Sequence, residues 1–183
     1  MNKNDKMLKE VIDLINRMKS TRPLVECLTN RVTINDCANM LLAMGASPIM
    51  AEIECEMEEI MNISSALVIN LGLLDGTYLS AMKTAAEAAK RLGKPIVLDP
   101  VGAGASKLRD ETCREMIELT KPDIIRGNMS EIRALTGGNI SSKGVDASDD
   151  DADNETNRLE LGELVREYAE KTGSVVCATG AVD

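Results

Sequence analysis

The sequence contains no histidine, tryptophan or phenylalanine, and its aromatic rings are limited to Tyr78 and Tyr168. Without histidine there is no imidazole base, no Ser/His/Asp or Cys/His nucleophile pair and no His-ligated zinc. The lack of aromatic rings removes the stacking platforms that bind single-stranded nucleic acid. The formal net charge of −9 also disfavours binding to a phosphate backbone. We therefore expect small molecules or proteins as partners, and no nucleic acid.

Long apolar runs and paired cysteines are lacking as well. No stretch approaches the roughly 18 apolar residues of a membrane helix, and the N-terminal segment is amphipathic rather than a signal core, so no membrane partner is expected. The five cysteines are an odd number without a C-x-x-C pair. This pattern excludes a disulfide framework and a structural zinc site, and it favours free thiols in a reducing compartment. The expected location is the cytoplasm.

The 183 residues alternate between short apolar runs and amphipathic stretches. Six runs are predicted to be β-strands, at residues 24–28, 48–51, 66–71, 95–99, 123–126 and 174–178. Helices are predicted from Leu8 to Met18 and near residues 34–44, 54–62, 77–92, 108–120, 129–136 and 158–171. Apolar strands separated by helices are typical of a mostly parallel sheet covered on both faces. The predicted fold class is α/β with three α/β/α layers, and ligands are expected outside the carboxyl ends of the strands.

A glycine-rich segment, residues 99–105, directly follows the fourth predicted strand. Its glycines allow a ligand to approach the backbone closely, and the start of the next helix favours an anion, although a tight turn explains the pattern equally well. The segment matches neither a Rossmann fingerprint nor a phosphate-binding P-loop. Asp99 is suited to holding Mg²⁺ through water, and its alternative interpretation is a turn aspartate before Pro100.

Two polar groups follow the fifth predicted strand. Arg126 emerges from an apolar run and needs an anionic partner, which is either a protein carboxylate or a phosphate. Asn128 and Glu131 stand three residues apart at a helix start, so a capping box accounts for both without a ligand. The residues alone favour the cap over a metal site.

The acidic segment at residues 149–155 superficially suggests a calcium loop. Asn154 stands where such a loop needs its turn glycine, and Thr156 stands where an apolar residue normally packs. A solvated loop is therefore the favoured interpretation.

Seven blocks in register resemble the hydroxyethylthiazole kinase family, the thiazole-salvage kinases of thiamin biosynthesis within the ribokinase-like superfamily. The resemblance runs from about Pro23 to Asp183. The blocks are Leu28-Thr29-Asn30-Arg31-Val32, Gly45-Ala46-Ser47-Pro48-Ile49-Met50-Ala51, Asn70-Leu71-Gly72, Leu98-Asp99-Pro100-Val101-Gly102-Ala103-Gly104-Ala105, Ile125-Arg126-Gly127-Asn128 with Glu131, Lys143-Gly144-Val145-Asp146, and Ala178-Thr179-Gly180-Ala181-Val182-Asp183.

The resemblance implies transfer of the ATP γ-phosphoryl group to the hydroxyl of 4-methyl-5-(2-hydroxyethyl)thiazole, with Mg²⁺ as cofactor and ATP as co-substrate. It implies a ribokinase-like domain and a homotrimer with active sites between subunits. The implied site residues are Met50, Asn30 and Gly72 for the thiazole, Arg126 and Thr179 for the ATP phosphates, and Asp99 and Glu131 for the metal, held through water. With this resemblance, Glu131 is expected both to cap its helix and to bind.

Two departures from the family pattern qualify these expectations. Leu73 stands where the family often has threonine, next to the predicted thiazole residue Gly72. The family's Gly-Ala-Gly-Cys motif, which supplies the anion hole and a cysteine at the general-base position, lies beyond Asp183, so the catalytic residue is unknown. We expect residues 1–183 to be a single domain that lacks its C-terminal part. Its expected turnover is impaired, since losing one anion-hole donor lowers a rate by about 10²–10³.

Two alternatives remain open. The first is a catalytically incomplete fragment that binds ligand without chemistry. The second is another ribokinase-like small-molecule kinase, of the hydroxymethylpyrimidine type.

Overall fold

A computed structural model describes residues 3–137 and 155–180. These residues form six strands, namely β1 (Leu24–Leu28), β2 (Ser47–Ile49), β3 (Ala66–Asn70), β4 (Ile96–Asp99), β5 (Ile124–Asn128) and β6 (Val175–Thr179). The strands make one sheet in the order β2-β1-β3-β4-β5-β6, and each neighbouring pair is parallel. The predicted parallel α/β fold is confirmed.

Helices connect the strands at the predicted places. They are α1 (Lys3–Thr21), α2 (Ile34–Met44), α3 (Met57–Ile63), α4 (Gly76–Arg91), α5 (Lys107–Thr120), α6 (Met129–Thr136) and α7 (Glu155–Thr172), with a 3₁₀ turn at Glu54–Glu56 before α3. Local chemistry fixes several of their ends. The Asp75 side chain accepts from the Thr77 amide at the start of α4, and Gly45 closes α2 with φ +94°. None of the helices described is long and apolar enough to cross a bilayer.

The main core lies between one face of the sheet and helices α3 to α7. It includes fully buried strand side chains such as Leu28, Ile69 and Leu98, which pack with Met82 of α4 and Met116 of α5. Because helices cover this face, the apolar side chains of the strands are excluded from water. Burial of apolar surface is the dominant stabilisation of such a fold.

The opposite face is covered less evenly within the described residues. Val25 and Cys27 of β1 are buried there, and Met18 of α1 and Leu41 of α2 pack against them. Toward the other edge, the side chain of Val175 in β6 is 61% exposed. Among the described residues, this face is therefore more open at β6 than at β1.

Most strand boundaries differ from the prediction by one or two residues, and the difference at the end of β2 has a visible cause. The sequence pattern predicts a second strand over residues 48–51, whereas β2 ends at Ile49. The Ala51 amide donates instead to the carboxyl of Glu26 in β1, at 3.1 Å. A side chain has thus replaced the backbone partner that a longer strand would use.

Candidate active site

Six of the seven predicted site residues lie along the carboxyl edge of the sheet in the order of the strands. Across the sheet they are Met50 after β2, Asn30 after β1, Gly72 after β3, Asp99 at the end of β4, Arg126 in β5 and Thr179 at the end of β6. The residues predicted for the thiazole follow the three strands of one half. Those predicted for metal and phosphate belong to the three strands of the other half.

The pleat of the sheet places several polar side chains on its more open face. Asn70 is paired in register with Asp99, and Asn128 is paired with Thr179. Register partners point to the same side of a sheet, as do residues two apart on one strand. Arg126, two residues before Asn128, therefore shares this face with Asp99.

A chain of hydrogen bonds links three of these strands. The Asn30 amide nitrogen donates to Asn70 Oδ1 at 3.1 Å, and the Asn70 amide nitrogen donates to Asp99 Oδ2 at 3.1 Å. The Arg126 guanidinium lies 3.5 Å from the same Asp99 oxygen. Arg126 therefore has the protein carboxylate partner that its position in an apolar strand calls for.

The loop at Gly72 fits closely between the two asparagines. Its amide donates to Asn70 Oδ1 at 3.0 Å. A Cβ at this position would lie 2.8 Å from that oxygen and 3.0 Å from the Asn30 amide nitrogen. Any side chain here would push apart the groups that define the edge, so the close approach requires glycine.

Asp99 is a carboxylate in a poor environment for charge. Its pKa is raised to about 6, mainly by burial and also by the charge of Glu131, while Arg126 and the Asn70 hydrogen bond act in the opposite direction. Its Oδ1 atom is buried and has no hydrogen-bond partner among the described residues. A buried carboxylate oxygen without a partner fits a divalent cation, as the sequence predicts.

Glu131 joins helix α6 to the glycine-rich segment. One of its carboxylate oxygens accepts from the Asn128 amide at 2.9 Å, and Asn128 Oδ1 accepts from the Glu131 amide at 2.8 Å. This confirms the predicted capping box. The other oxygen accepts from the Gly102 amide at 2.8 Å.

The metal chemistry of this pair is limited by its size. No cluster of three metal-ligating side chains occurs within residues 3–137 and 155–180. Asp99 and Glu131 alone suit a cation that keeps several water ligands, which is the preference of Mg²⁺. Each carboxylate oxygen has a second lone pair, so Glu131 can hold a water while it caps.

Sequence reasoning missed Arg109, in the first turn of α5. Its guanidinium donates to the carbonyl oxygens of Leu71 at 3.0 Å, Val101 at 3.1 Å and Gly72 at 3.3 Å. It packs on Gly102, where φ is +79° and a Cβ would lie 2.9 Å from Arg109 Cδ. Arg109 therefore ties the Gly72 loop to the glycine-rich segment. Its position just after that segment was the available signal.

Sequence reasoning also missed Glu26, which is fully buried in β1. The signal was an acid in the middle of the apolar run Leu24-Val25-Glu26-Cys27-Leu28.

Thr179, which was predicted, donates its hydroxyl to the Gly127 carbonyl at 3.4 Å. The blocks at residues 143–146 and 181–183, and the acidic residues 149–154, lie outside the described residues.

The fold places the chain in the class of parallel α/β proteins that bind ligands outside the carboxyl ends of their strands. In this chain a carboxylate, a guanidinium and a glycine-rich segment meet at that edge.

The comparison with known proteins gives the family. A model of the hydroxyethylthiazole kinase family matches residues 15–183. The chain is 42% identical to a hydroxyethylthiazole kinase of Methanobrevibacter smithii, over all of this chain and 66% of that protein. It is 46% identical to one of Clostridium beijerinckii, over 93% of this chain and 61% of that protein. The chain belongs to the hydroxyethylthiazole kinase family.

A solved structure supports the same assignment. The hydroxyethylthiazole kinase protein of Pyrococcus horikoshii OT3 superimposes with a TM-score of 0.81 at 40% identity, over 94% of this chain and 61% of that one. The chain thus spans about three fifths to two thirds of the length of the relatives it matches.

Proposed function

We propose that this chain carries the thiazole-binding and metal-binding groups of a hydroxyethylthiazole kinase. Such an enzyme transfers the γ-phosphoryl group of ATP to the primary hydroxyl of 4-methyl-5-(2-hydroxyethyl)thiazole in thiamin salvage. The observation that carries the proposal is the order of residues along the sheet edge, with an apolar and amide half from Met50 to Gly72 and a charged half from Asp99 to Thr179.

The thiazole half suits a small, weakly polar ring. Met50 offers a polarisable thioether in a protein without phenylalanine or tryptophan, and such sulfur atoms pack well on flat rings. Asn30 supplies an amide, and Gly72 allows the backbone to approach the ligand. The Asn30–Asn70–Asp99 hydrogen bonds would hold the substrate hydroxyl end near the charged half.

The charged half suits a nucleotide with its metal. Asp99 and Glu131 would hold Mg²⁺ through water, and Arg126 and Thr179 would contact the ATP phosphates. When bound, Mg²⁺ neutralises charge on the transferring phosphoryl group. Arg126 adds positive charge beside the same carboxylate, and the dipole of α5 favours an anion near the start of that helix. Phosphoryl transfer depends mainly on such positioning and charge stabilisation.

The proposal includes a homotrimer in the cytoplasm with sites between subunits. Two apolar side chains support a neighbouring subunit at the thiazole half. Val32, in the loop after β1, is 89% exposed, and Ile53, in the segment after β2, is 63% exposed. Both flank the positions of Asn30 and Met50, where a second subunit would cover them.

Calorimetric titration of two variants tests the division of the edge. Met50→Ala is expected to weaken binding of the thiazole alcohol by about tenfold, because the ring loses an apolar contact, and to leave ATP·Mg²⁺ binding unchanged. Arg126→Ala is expected to weaken binding of ATP·Mg²⁺ and to leave thiazole binding unchanged, since a charged contact to phosphate is lost.

Matched controls use the same substitutions at exposed positions. Met40→Ala on α2 and Arg91→Ala on α4 change the same side chains away from the sheet edge, and both should leave each affinity unchanged. If Met50→Ala and Arg126→Ala bind both ligands as the unmodified chain does, the proposed division is wrong.

A further inference from the structure

Glu26 is a buried acid that the proposed chemistry does not use. It lies in the middle of β1, between β2 and β3, and its side chain is 0% exposed. One carboxyl oxygen accepts from the Ala51 amide at 3.1 Å. The other oxygen is buried and has no hydrogen-bond partner among the described residues.

This burial is unfavourable for the stability of the chain. Desolvation raises the pKa of Glu26 to about 8, and the nearby charge of Glu56 acts in the same direction. An apolar residue of similar size would avoid both effects, and replacing buried ionisable groups in this way is often neutral or stabilising. The presence of Glu26 therefore calls for a reason other than stability.

The partner of Glu26 supplies that reason. β2 is an edge strand of only three residues, and its last residue, Ile49, is paired in register with Glu26. Residues 50–53 follow in neither helix nor strand. Met50, proposed to contact the thiazole, thus stands between two attachments, the strand at Ile49 and the Glu26 carboxyl at Ala51.

The side chains of Met50 and Ala51 lie on opposite faces of the sheet. Met50 packs with Val25 and Cys27 on the face of α1 and α2, whereas Ala51 packs against the main core on the other face. Fixing the Ala51 amide on the Glu26 side therefore fixes the direction in which the Met50 side chain leaves the backbone. Without the hydrogen bond from Ala51 to Glu26, only the strand pairing at Ile49 would hold the segment that carries Met50.

We infer that Glu26 is a positioning residue for substrate recognition, which holds the Ala51 amide and so sets the place of Met50 at the thiazole half of the edge. The inference rests on the proposed function of that edge. The Glu26 side chain is fully buried in the sheet, so it acts only through the segment that it holds.

Substitutions at Glu26 separate this role from a structural one. Glu26→Gln keeps an oxygen that accepts the Ala51 amide, whereas Glu26→Leu fills the space and accepts nothing. Glu26→Leu is expected to weaken thiazole binding by about tenfold without lowering the melting temperature, and Glu26→Gln to bind within about threefold of the unmodified chain. A purely structural residue would change affinity and stability together.

Hydrogen exchange of the Ala51 amide, followed by NMR, measures the attachment directly. Protection is expected in the unmodified chain and in Glu26→Gln, and it should be lost in Glu26→Leu. Glu56→Gln serves as the matched control, because it changes the neighbouring acid and leaves the Ala51 contact in place. If Glu26→Leu does not fold, as judged by circular dichroism, Glu26→Ala provides the same comparison.

The outcomes distinguish the two levels of the account. If the leucine or alanine variant keeps Ala51 protection and thiazole affinity, or if Glu26→Gln loses as much of both, the role of Glu26 is refuted. If the unmodified chain binds no thiazole, the proposed function fails. The exchange measurement still decides whether Glu26 holds the segment at Met50.

Discussion

At the scale of single residues, two acids of the sheet stand in surroundings that disfavour their charged forms. Asp99 and Glu26 are both acids whose pKa is raised mainly by burial, to about 6 and about 8. Each also has one oxygen without a partner among the described residues. Such groups lower the stability of the free chain, so each has a testable signature in its unfolding.

Glu26→Gln is expected to stabilise the chain at neutral pH. The folded chain keeps a proton on Glu26 up to about pH 8, whereas the ordinary pKa of the group is 4.5, so its stability is highest below 4.5 and falls as the pH rises toward 8. The neutral glutamine avoids this loss, which amounts to at most about 3 kcal/mol at pH 7. Urea denaturation at pH 4.5, 7 and 8.5 measures it, and parallel pH profiles of the two chains would contradict the expectation.

Asp99→Asn is expected to remove the stabilisation that Mg²⁺ provides. The unmodified chain should melt at a higher temperature with Mg²⁺ than without it, because a ligand that binds the folded state raises stability. The variant should show no such shift, and without metal it should be at least as stable, since it buries no charge beside Glu131. Asp36→Asn, at an exposed position on α2, is the control. An equal Mg²⁺ shift in Asp99→Asn would place the metal elsewhere.

Sequence and structure agree unevenly at this scale. The cap at Asn128 and Glu131 could be predicted because its partners are three residues apart. The contacts of Asn30 with Asn70 and of Asn70 with Asp99 span 40 and 29 residues, so only the strand order brings them together. Glu26 was missed because its contact depends on where β2 ends.

At the scale of elements, the first turn of α5 organises two loops. Arg109 donates to carbonyls of the Gly72 loop and of the glycine-rich segment, and the next residue, Asp110, accepts from the Gly104 amide at 2.6 Å. The helix therefore holds the segment that follows β4 and links it to the segment that follows β3. Two segments positioned by one helix would move together.

Arg109→Met is expected to destabilise the chain by about 2 kcal/mol, because several carbonyls lose a charged donor. Hydrogen exchange should increase in both loops, at Gly72 and around Gly102. Lys107→Met is the matched control on the same turn, since its ion pair with Glu111 is exposed and contributes little. Equal unfolding midpoints for the two variants would show that Arg109 does not tie the loops.

The elements themselves could largely be predicted, because their signals are local. The ranges predicted for β1, α2 and α6 match those of the structure, and each pattern is bounded by a turn, a cap or a glycine. The error at β2 has a tertiary cause, since a side chain from the neighbouring strand takes the amide that would extend it. No pattern within residues 48–51 carries that information.

At the scale of the whole molecule, the strand order sorts the chemistry. The chain runs outward from the centre twice, first to β2 and then to β6, so residues distant in sequence line one edge as the proposed thiazole half and the charged half. The more open face at β4 to β6, where Val175 is exposed, is the face that carries Asp99, Arg126 and Thr179. Recognition of the thiazole alcohol is thus the central claim about this chain.

Calorimetric titration of the unmodified 183-residue chain tests that claim most directly. With Mg²⁺ present, the chain is titrated with 4-methyl-5-(2-hydroxyethyl)thiazole and, separately, with the hydroxymethylpyrimidine alcohol. We predict saturable binding of the thiazole that is at least about tenfold tighter than binding of the pyrimidine, a difference of about 1.4 kcal/mol. Tighter binding of the pyrimidine, or no binding of the thiazole, would contradict the account.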